Sequence, residues 1–194
     1  LGHSFPTRRS SDLLDVDIRA FFDTIDHEWM MCFLQHRIAD RRVLALIARW
    51  LRTGVLENGK RIPAKQGTPQ GAPISPLLAN IYLHYVMDLW VRQWRRRTAQ
   101  GEMIAVRYAD DSVLGFEKPE DAWSFRHALE VRLAQFNLTL HPEKTRLLRF
   151  GRFAMEDRKK RGEGKPETFD FLGFTHFCSQ AKNGKFEVGR VTIG

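Results

Sequence analysis

Two short apolar runs, Met103 to Tyr108 and Val113 to Phe116, are separated only by Ala109-Asp110-Asp111-Ser112. Four residues leave no room for a crossover helix, so the chain reverses there and pairs the runs as an antiparallel hairpin with an acidic tip. Every other element has to be arranged around that hairpin. Leu14-Asp15-Val16-Asp17-Ile18 alternates polar and apolar residues, the pattern of a half-buried strand. Asp26 predicts the N-cap of a helix starting near His27. Asp40 predicts a second cap, for a helix whose Val43, Leu46, Ile47, Trp50 and Leu51 form one apolar stripe and which Gly54 ends. Asn58-Gly59, between Val55-Leu56 and Ile62, is a hairpin signal.

Ser75-Pro76 opens a long helix, serine as cap and proline in the first turn. Leu78, Ile81, Tyr85 and Leu89 mark one apolar face of it; Leu83, Met87, Trp90 and Trp94 mark a second, so it is expected between two layers. Pro119 starts a further helix with Phe125, Leu129, Leu133 and Phe136 facing inward. Strands are expected at Arg146 to Phe150, Phe169 to Phe177 and Phe186 to Val188, with a turn at Asn183-Gly184 and an exposed loop from Glu156 to Glu167.

Without its inserted helices and hairpins, the stretch 14–150 reads β-α-β-β-α-β, an α+β chain of the ferredoxin-like kind. In that topology the first strand lies antiparallel to the third. The loop joining the second and third strands then sits beside the carboxyl end of the first. Asp17 is near that end, and Asp110 and Asp111 are in that loop. Clustered carboxylates repel one another, and a cation relieves the repulsion. Oxygen-only ligands suit Mg²⁺, and two such ions on shared carboxylates would activate a 3′-hydroxyl and stabilise a leaving pyrophosphate. Asp110-Asp111 alone reads as well as an acidic turn; its convergence with Asp17 favours the metal reading. Asp15 shares a face with Asp17 in an alternating strand, which suits a supporting role.

Composition narrows the class. The 194 residues are enough for one domain with a hydrophobic core, and 31 Lys and Arg against 23 Asp and Glu give a net charge of +8. Such a balance favours polyanions, chiefly nucleic acid, with basic runs at Arg95-Arg96-Arg97 and Arg158-Lys159-Lys160-Arg161. The longest apolar run is Val43 to Ala48, too short to span a membrane. Cys32 and Cys178 are far apart and outside any CxxC pair, which argues against a disulfide framework and for a reducing cytoplasm. The stretch from Gly54 to Arg61 nearly fits a phosphate-binding loop, but Arg61 stands where Ser or Thr must meet Mg²⁺. The histidines show no paired metal spacing.

Five ordered motifs carry a family resemblance. Tyr108-Ala109-Asp110-Asp111 is similar to the Tyr-Ala-Asp-Asp signature of reverse transcriptases, and Asp17-Ile18-Arg19-Ala20-Phe21-Phe22-Asp23 resembles their first aspartate motif. The segment Gly67 to Ile81, together with Asp23-Thr24-Ile25-Asp26-His27, is most similar to bacterial group II intron-encoded reverse transcriptase/maturase proteins. His141-Pro142-Glu143-Lys144-Thr145 and Phe169-Asp170-Phe171-Leu172-Gly173-Phe174 resemble the later motifs, in the right order.

The resemblance implies a polymerase palm over 14–194, with fingers and thumb truncated; residues 1–13 resemble a translated sequencing adapter and are expected to be non-native. It implies an RNA-directed DNA polymerase that adds dNTPs to a DNA primer on an RNA template, with intron RNA as a further partner of the full-length protein; the 194-residue piece alone is expected to fold as a palm but to be weak or inactive as a polymerase. By the same resemblance Asp17, Asp110 and Asp111 hold two Mg²⁺ ions, and the Ile18 carbonyl completes one shell. Phe22, or Phe21 beside it, stands as a gate against a ribose 2′-hydroxyl. Gln70 and Gly71 meet the nucleotide and template. Lys144 protonates pyrophosphate, and Phe171 to Phe174 support the primer end. Retron, diversity-generating and CRISPR-associated reverse transcriptases share these motifs, and an inactive RNA-binding fragment is the remaining alternative.

Overall fold

The computed structural model describes residues 12–53, 55–57, 60–62, 66–68 and 73–193. In chain order the elements are β1 (Asp12–Val16), α1 (Phe21–Thr24), α2 (His27–Gln35), α3 (Arg41–Arg52), β2 (Val55–Glu57), β3 (Lys60–Ile62) and α4 (Ser75–Leu83). A π-helical segment, His84–Asp88, leads into α5 (Leu89–Arg97). Then come β4 (Met103–Tyr108), β5 (Asp111–Phe116), α6 (Pro119–Ala134), β6 (Arg146–Arg149), α7 (Ala154–Lys160), β7 (Phe169–Phe171), β8 (Phe174–Gln180) and β9 (Phe186–Thr192). The contacts divide the chain into two units, one of residues 1–17, 94–129 and 141–194, the other of 18–93 and 130–140.

The first unit holds a four-stranded sheet in the order β4-β5-β1-β6, antiparallel at every pair. β1 is central and buried on both faces. Leu14 is opposite Leu114 on one side and Leu147 on the other, and is fully buried. Leu13 points to the other face, into a cluster of Val113, Leu148, Phe150, Phe169 and Phe171. That cluster seats the three-stranded sheet β7-β8-β9. On the Leu14 side Trp94 packs edge to face with Phe116 and with Phe125, its centroid 4.9 Å from that of Phe125, and the two phenylalanine rings are tilted against each other. Arg149 at the edge strand β6 donates to Asp12 (3.3 Å) and Asp157 (2.7 Å), fastening α7 over that edge. Burial pushes the Asp12 carboxyl up, and the Arg149 guanidinium opposes the shift.

β1 starts at Asp12, so Asp12 and Leu13, expected to belong to a non-native tail, are strand residues. The reason is local: Leu13 is apolar, in register with Gly115 and Leu148, and buried. β5 starts at Asp111 and not Val113, which shortens the acidic turn to Ala109-Asp110. The expected strand from Phe169 to Phe177 is broken by a tight turn at Leu172-Gly173, both with positive φ. The expected loop from Glu156 is helical as far as Lys160.

In the second unit Asp26 caps α2 by accepting from the Glu28 and Trp29 amides, and Asp40 caps α3. Ser75 is the first residue of α4 and not its cap, with Pro76 in the first turn. On α3 only Ile47 and Leu51 are buried; Val43, Leu46 and Trp50 are exposed, so the helix seats a narrower stripe than its composition suggests. The long helix buries Leu78, Tyr82, Leu83, Val86 and Met87 but exposes Leu89. The π segment inserts an extra residue and turns the following helix out of the expected phase. The carbonyls it leaves open at Tyr85 and Val86 accept from Arg132 at 3.2 and 2.9 Å. Tyr82, fully buried, donates its hydroxyl to the Phe136 carbonyl. Gly54 and the Asn58-Gly59 turn expected from the sequence lie outside the described residues; β2 and β3 pair antiparallel.

Leu14 touches both neighbours of β1 and has no room to relax around a void. Leu14→Ala is expected to destabilise the first unit by about 3 kcal/mol, read by urea denaturation.

Candidate active site

Strand register builds the site. β1 pairs with β5 through Val16 and Ser112, and with β6 through Asp15 and Arg146. Continued to the next positions, the same register sets Asp17, just past the end of β1, between Asp111 on one side and Lys144 on the other. Because side chains alternate, Asp15, Asp17, Asp111, Tyr108 and Arg146 share the sheet face that also carries Leu13 and Val113.

Asp17 is held by its backbone. Its carbonyl accepts from the His141 amide (2.8 Å) and the Thr145 hydroxyl (3.0 Å), and its amide donates to the same hydroxyl (3.3 Å). Thr145 is buried. His141 Nδ1 accepts from the Glu143 and Lys144 amides, which shapes the turn carrying Lys144. With the main chain fixed, the Asp17 carboxylate stays free to reach outward. Lys144 Nζ lies 3.6 Å from Asp17 Oδ2, and the Asp17 side chain is one-third exposed.

The acidic turn is equally tight. Tyr108 pairs with Asp111, so only Ala109 and Asp110 turn the corner, and Ala109 takes a left-handed φ of 53°. A non-glycine residue there carries strain, and Arg107 steadies it by donating to the Ala109 carbonyl at 2.6 Å. Lost hydration holds the Asp111 carboxyl above its ordinary range; Asp110 and Asp17 push it further and Lys144 draws it back. The Asp15 carboxyl is also raised, first by burial, with Arg146 opposing and Asp111 and Asp17 adding to the rise.

The carboxylates are neighbours, but they do not form a closed cage. Among the described residues no three His, Cys, Asp or Glu side chains stand close enough to share one metal ion. The convergence expected from the topology is therefore looser than a preformed metal centre. Like charges hold the groups apart, and Lys144 draws Asp17 to its own side. The donor set still fits a hard divalent cation: it is all oxygen, on fixed backbone, and under a repulsion that a cation would relieve.

Ile18, Phe21 and Phe22 belong to the second unit. Ile18 is buried and bridges to Leu140. Phe21 is buried against Tyr82, whereas Phe22 is half-buried and is the more accessible of the two rings. Gln70 and Gly71 lie outside the described residues. The start of their segment is described: the Gly67 amide donates to Ile25 (2.7 Å), the Thr68 amide to Phe22 (2.8 Å), and His27 Nε2 to the Gly67 carbonyl (2.6 Å). Gly67 has φ +81°, and a Cβ there would meet the Phe22 and Asp23 carbonyl oxygens at 2.9 Å.

The fold brings two further groups to the site, the Thr145 hydroxyl and the Arg146 guanidinium. Alternation from Lys144 was the available signal for Arg146, since it places both on one face. The basic runs also differ. Arg158 and Arg161 are engaged by Glu163 and Glu167, whereas Arg95, Arg96 and Arg97 are exposed at the end of α5.

A family model described as "Reverse transcriptase (RNA-dependent DNA polymerase)" matches residues 3–176. The group II intron-encoded protein LtrA of Lactococcus lactis subsp. cremoris is 42% identical over 81 residues, 42% of this chain and 13% of that protein. Protein YkfC of Escherichia coli K12 is 33% identical over 129 residues, covering 53% of this chain and 33% of its own. The chain thus spans only a small part of these relatives. Among solved structures, apo telomerase from Candida tropicalis, truncated from its C-terminal domain, superposes with a TM-score of 0.63 at 11% identity, over 91% of this chain and 35% of that one. Telomerase from Candida albicans in complex with a fragment of telomeric RNA gives 0.59 at 14% identity, over 86% and 29%. At such identities the likeness is one of fold, a mixed helix-and-sheet polymerase fold.

Two outcomes are expected. Asp111 has a raised carboxyl, so the folded chain binds its proton more tightly than the unfolded chain. Its destabilising contribution therefore grows as pH rises from the ordinary value of 3.8 through the folded value, and is full above that. Asp111→Asn should raise Tm at pH 7 and reduce the fall in Tm across that window, in thermal scans without divalent cations. Gly67→Ala should lower stability by about 2 kcal/mol or more, because strain and a backbone clash coincide there.

Proposed function

This chain belongs to the reverse transcriptase (RNA-dependent DNA polymerase) family, and we propose that it carries the catalytic palm of an RNA-directed DNA polymerase of the group II intron type. The observation that carries the reading is the register of three strands, which lines up Lys144, Asp17 and Asp111 beside the turn holding Asp110. The strand order β4-β5-β1-β6 supports the ferredoxin-like palm, its four strands joined in the β-α-β-β-α-β sequence. The likeness to LtrA supports the intron subtype.

In this reading Asp17, Asp110 and Asp111 hold two Mg²⁺ ions, with the Ile18 carbonyl as a further ligand. The bound ions would supply charge neutralisation for a triphosphate and acidify a primer 3′-hydroxyl. The residues themselves do the placing. The clamp of His141 and Thr145 on the Asp17 backbone fixes the carboxylate's origin, so ordering it costs little when a ligand arrives. Lys144, paired to Asp17 and largely exposed, is free to exchange that contact for a phosphate oxygen and to deliver a proton to the leaving pyrophosphate. The Phe22 ring excludes a 2′-hydroxyl and so selects dNTPs, while Gln70 and Gly71 meet the nucleotide and template. An RNA template and a DNA primer are the polymer partners, with intron RNA as a further one; the exposed Arg95-Arg96-Arg97 run suits phosphate contacts. No helix among the described residues is long and apolar enough to cross a membrane. Two cysteines far apart in sequence and outside any CxxC pair, Cys32 and Cys178, favour the cytoplasm as compartment.

Primer extension on an RNA template tests the reading. Asp110→Ala should lower nucleotide addition by roughly 100-fold or more while leaving RNA affinity unchanged, since the lost group is itself an anion. Retained synthesis, or lost RNA affinity with synthesis intact, would overturn the assignment.

A further inference from the structure

Two residues in from the Asp17–Lys144 contact lies a second rung on the same face. Asp15 and Arg146 are register partners on β1 and β6. Arg146 Nη2 stands 3.2 Å from Asp15 Oδ2, and the same nitrogen donates to the Thr168 carbonyl at 3.4 Å. Thr168 immediately precedes β7. One guanidinium therefore touches the central strand that leads to Asp17, belongs to the strand that follows Lys144, and reaches the entrance of the sheet packed over both.

The two rungs differ in character. The outer one is longer and more open, with Lys144 and Asp17 side chains 64% and 33% exposed; the inner one is shorter, with Arg146 and Asp15 side chains 44% and 20% exposed. β7 is already seated by Phe169 and Phe171 in the cluster of Leu13, Val113, Leu148 and Phe150. Apolar packing of that kind is non-directional and tolerates sliding. A charge-assisted hydrogen bond does not, because its strength falls steeply with misalignment. Arginine suits this position because one terminal nitrogen, Nη2, carries two hydrogens and reaches both acceptors while the group stays charged.

We propose that Arg146 is a positioning residue, which ties β7 to the carboxylate-bearing strand through the Asp15 carboxylate and the Thr168 carbonyl and so keeps the face around Asp17 in shape for nucleotide addition. The tether rests on geometry alone; its effect on catalysis rests on the polymerase reading above.

Two measurements on the intact protein separate these. In amide hydrogen exchange, Arg146→Gln and Asp15→Ala should speed exchange at Phe169 to Phe171 roughly tenfold while β4 and β5 keep their protection. Asp15→Asn keeps an acceptor oxygen and should stay near wild type. Should Arg146→Gln not fold, Arg146→Met serves, since it keeps the apolar stem but removes every donor to Asp15 and Thr168, and it should loosen β7 as well. In primer extension the loosened variants should lose kcat several-fold per folded molecule, with the dNTP KM little changed, whereas a merely structural role would lower only the folded fraction. Unchanged β7 exchange in the Arg146 variants overturns the tether, as does Asp15→Asn behaving like Asp15→Ala. Loosened β7 with kcat intact overturns the positioning role. A full-length protein carrying this chain that does not extend primers removes the polymerase reading and with it the catalytic role, and leaves the tether to the exchange data.

Discussion

Mutual repulsion among acidic side chains, held in place by the pairing of β1 with β5 and β6, is the constraint around which the first unit is organised. Three strands that meet at Asp17 put Asp111 and Lys144 on either side of it, and Asp15 lies one rung below. Like charges this near each other work against folding; lost hydration is the first cause of the raised Asp111 and Asp15 carboxyls, and their acidic neighbours add to it. Burial elsewhere on the same strand offsets it: Leu13, Leu14 and Val16 are all buried. The strand that carries the unfavourable charges is thus the one most deeply anchored by apolar contact.

The same division of labour recurs at finer scale. The main chain beneath the clustered side chains is fixed by specific hydrogen bonds. Asp17 is clamped through its carbonyl and amide by His141 and Thr145, and the Ala109 turn is steadied by Arg107. A site built this way has little backbone entropy left to lose when a ligand orders its side chains. The cation partners follow suit. Lys144 is exposed and exchangeable, whereas Arg146 is committed to two acceptors at once.

The second unit shows a comparable economy. A π segment would leave carbonyls without partners, and Arg132 supplies donors to two of them while its guanidinium lies over the Phe136 ring at 4.4 Å. Asp26 caps α2 with one oxygen and accepts from Asn137 with the other. Gly67 is needed because its backbone passes within contact distance of the carbonyls at Phe22 and Asp23. Each irregularity is matched by a specific polar partner.

By itself, the sequence determined most of the local elements and which acidic residues lie near the strand ends. Asp26 and Asp40 announced their helices, the short gap between two apolar runs required a hairpin, and alternation from Asp17 located Asp15 on the same face. These follow from rules that act over a few residues: caps, turn lengths and side-chain periodicity. Tertiary structure decided what depends on neighbours distant in sequence. It extended β1 back to Asp12, because Leu13 finds Leu148 and Phe169 there. It turned Leu89 outward, because a π segment changed the helix phase. It recruited Thr145 and Arg146 to the site, because only strand pairing brings them beside Asp17 and Asp15. How close the carboxylates stand was also left to the fold, since Coulomb repulsion and the pull of Lys144 act through space and leave no periodic trace along the chain.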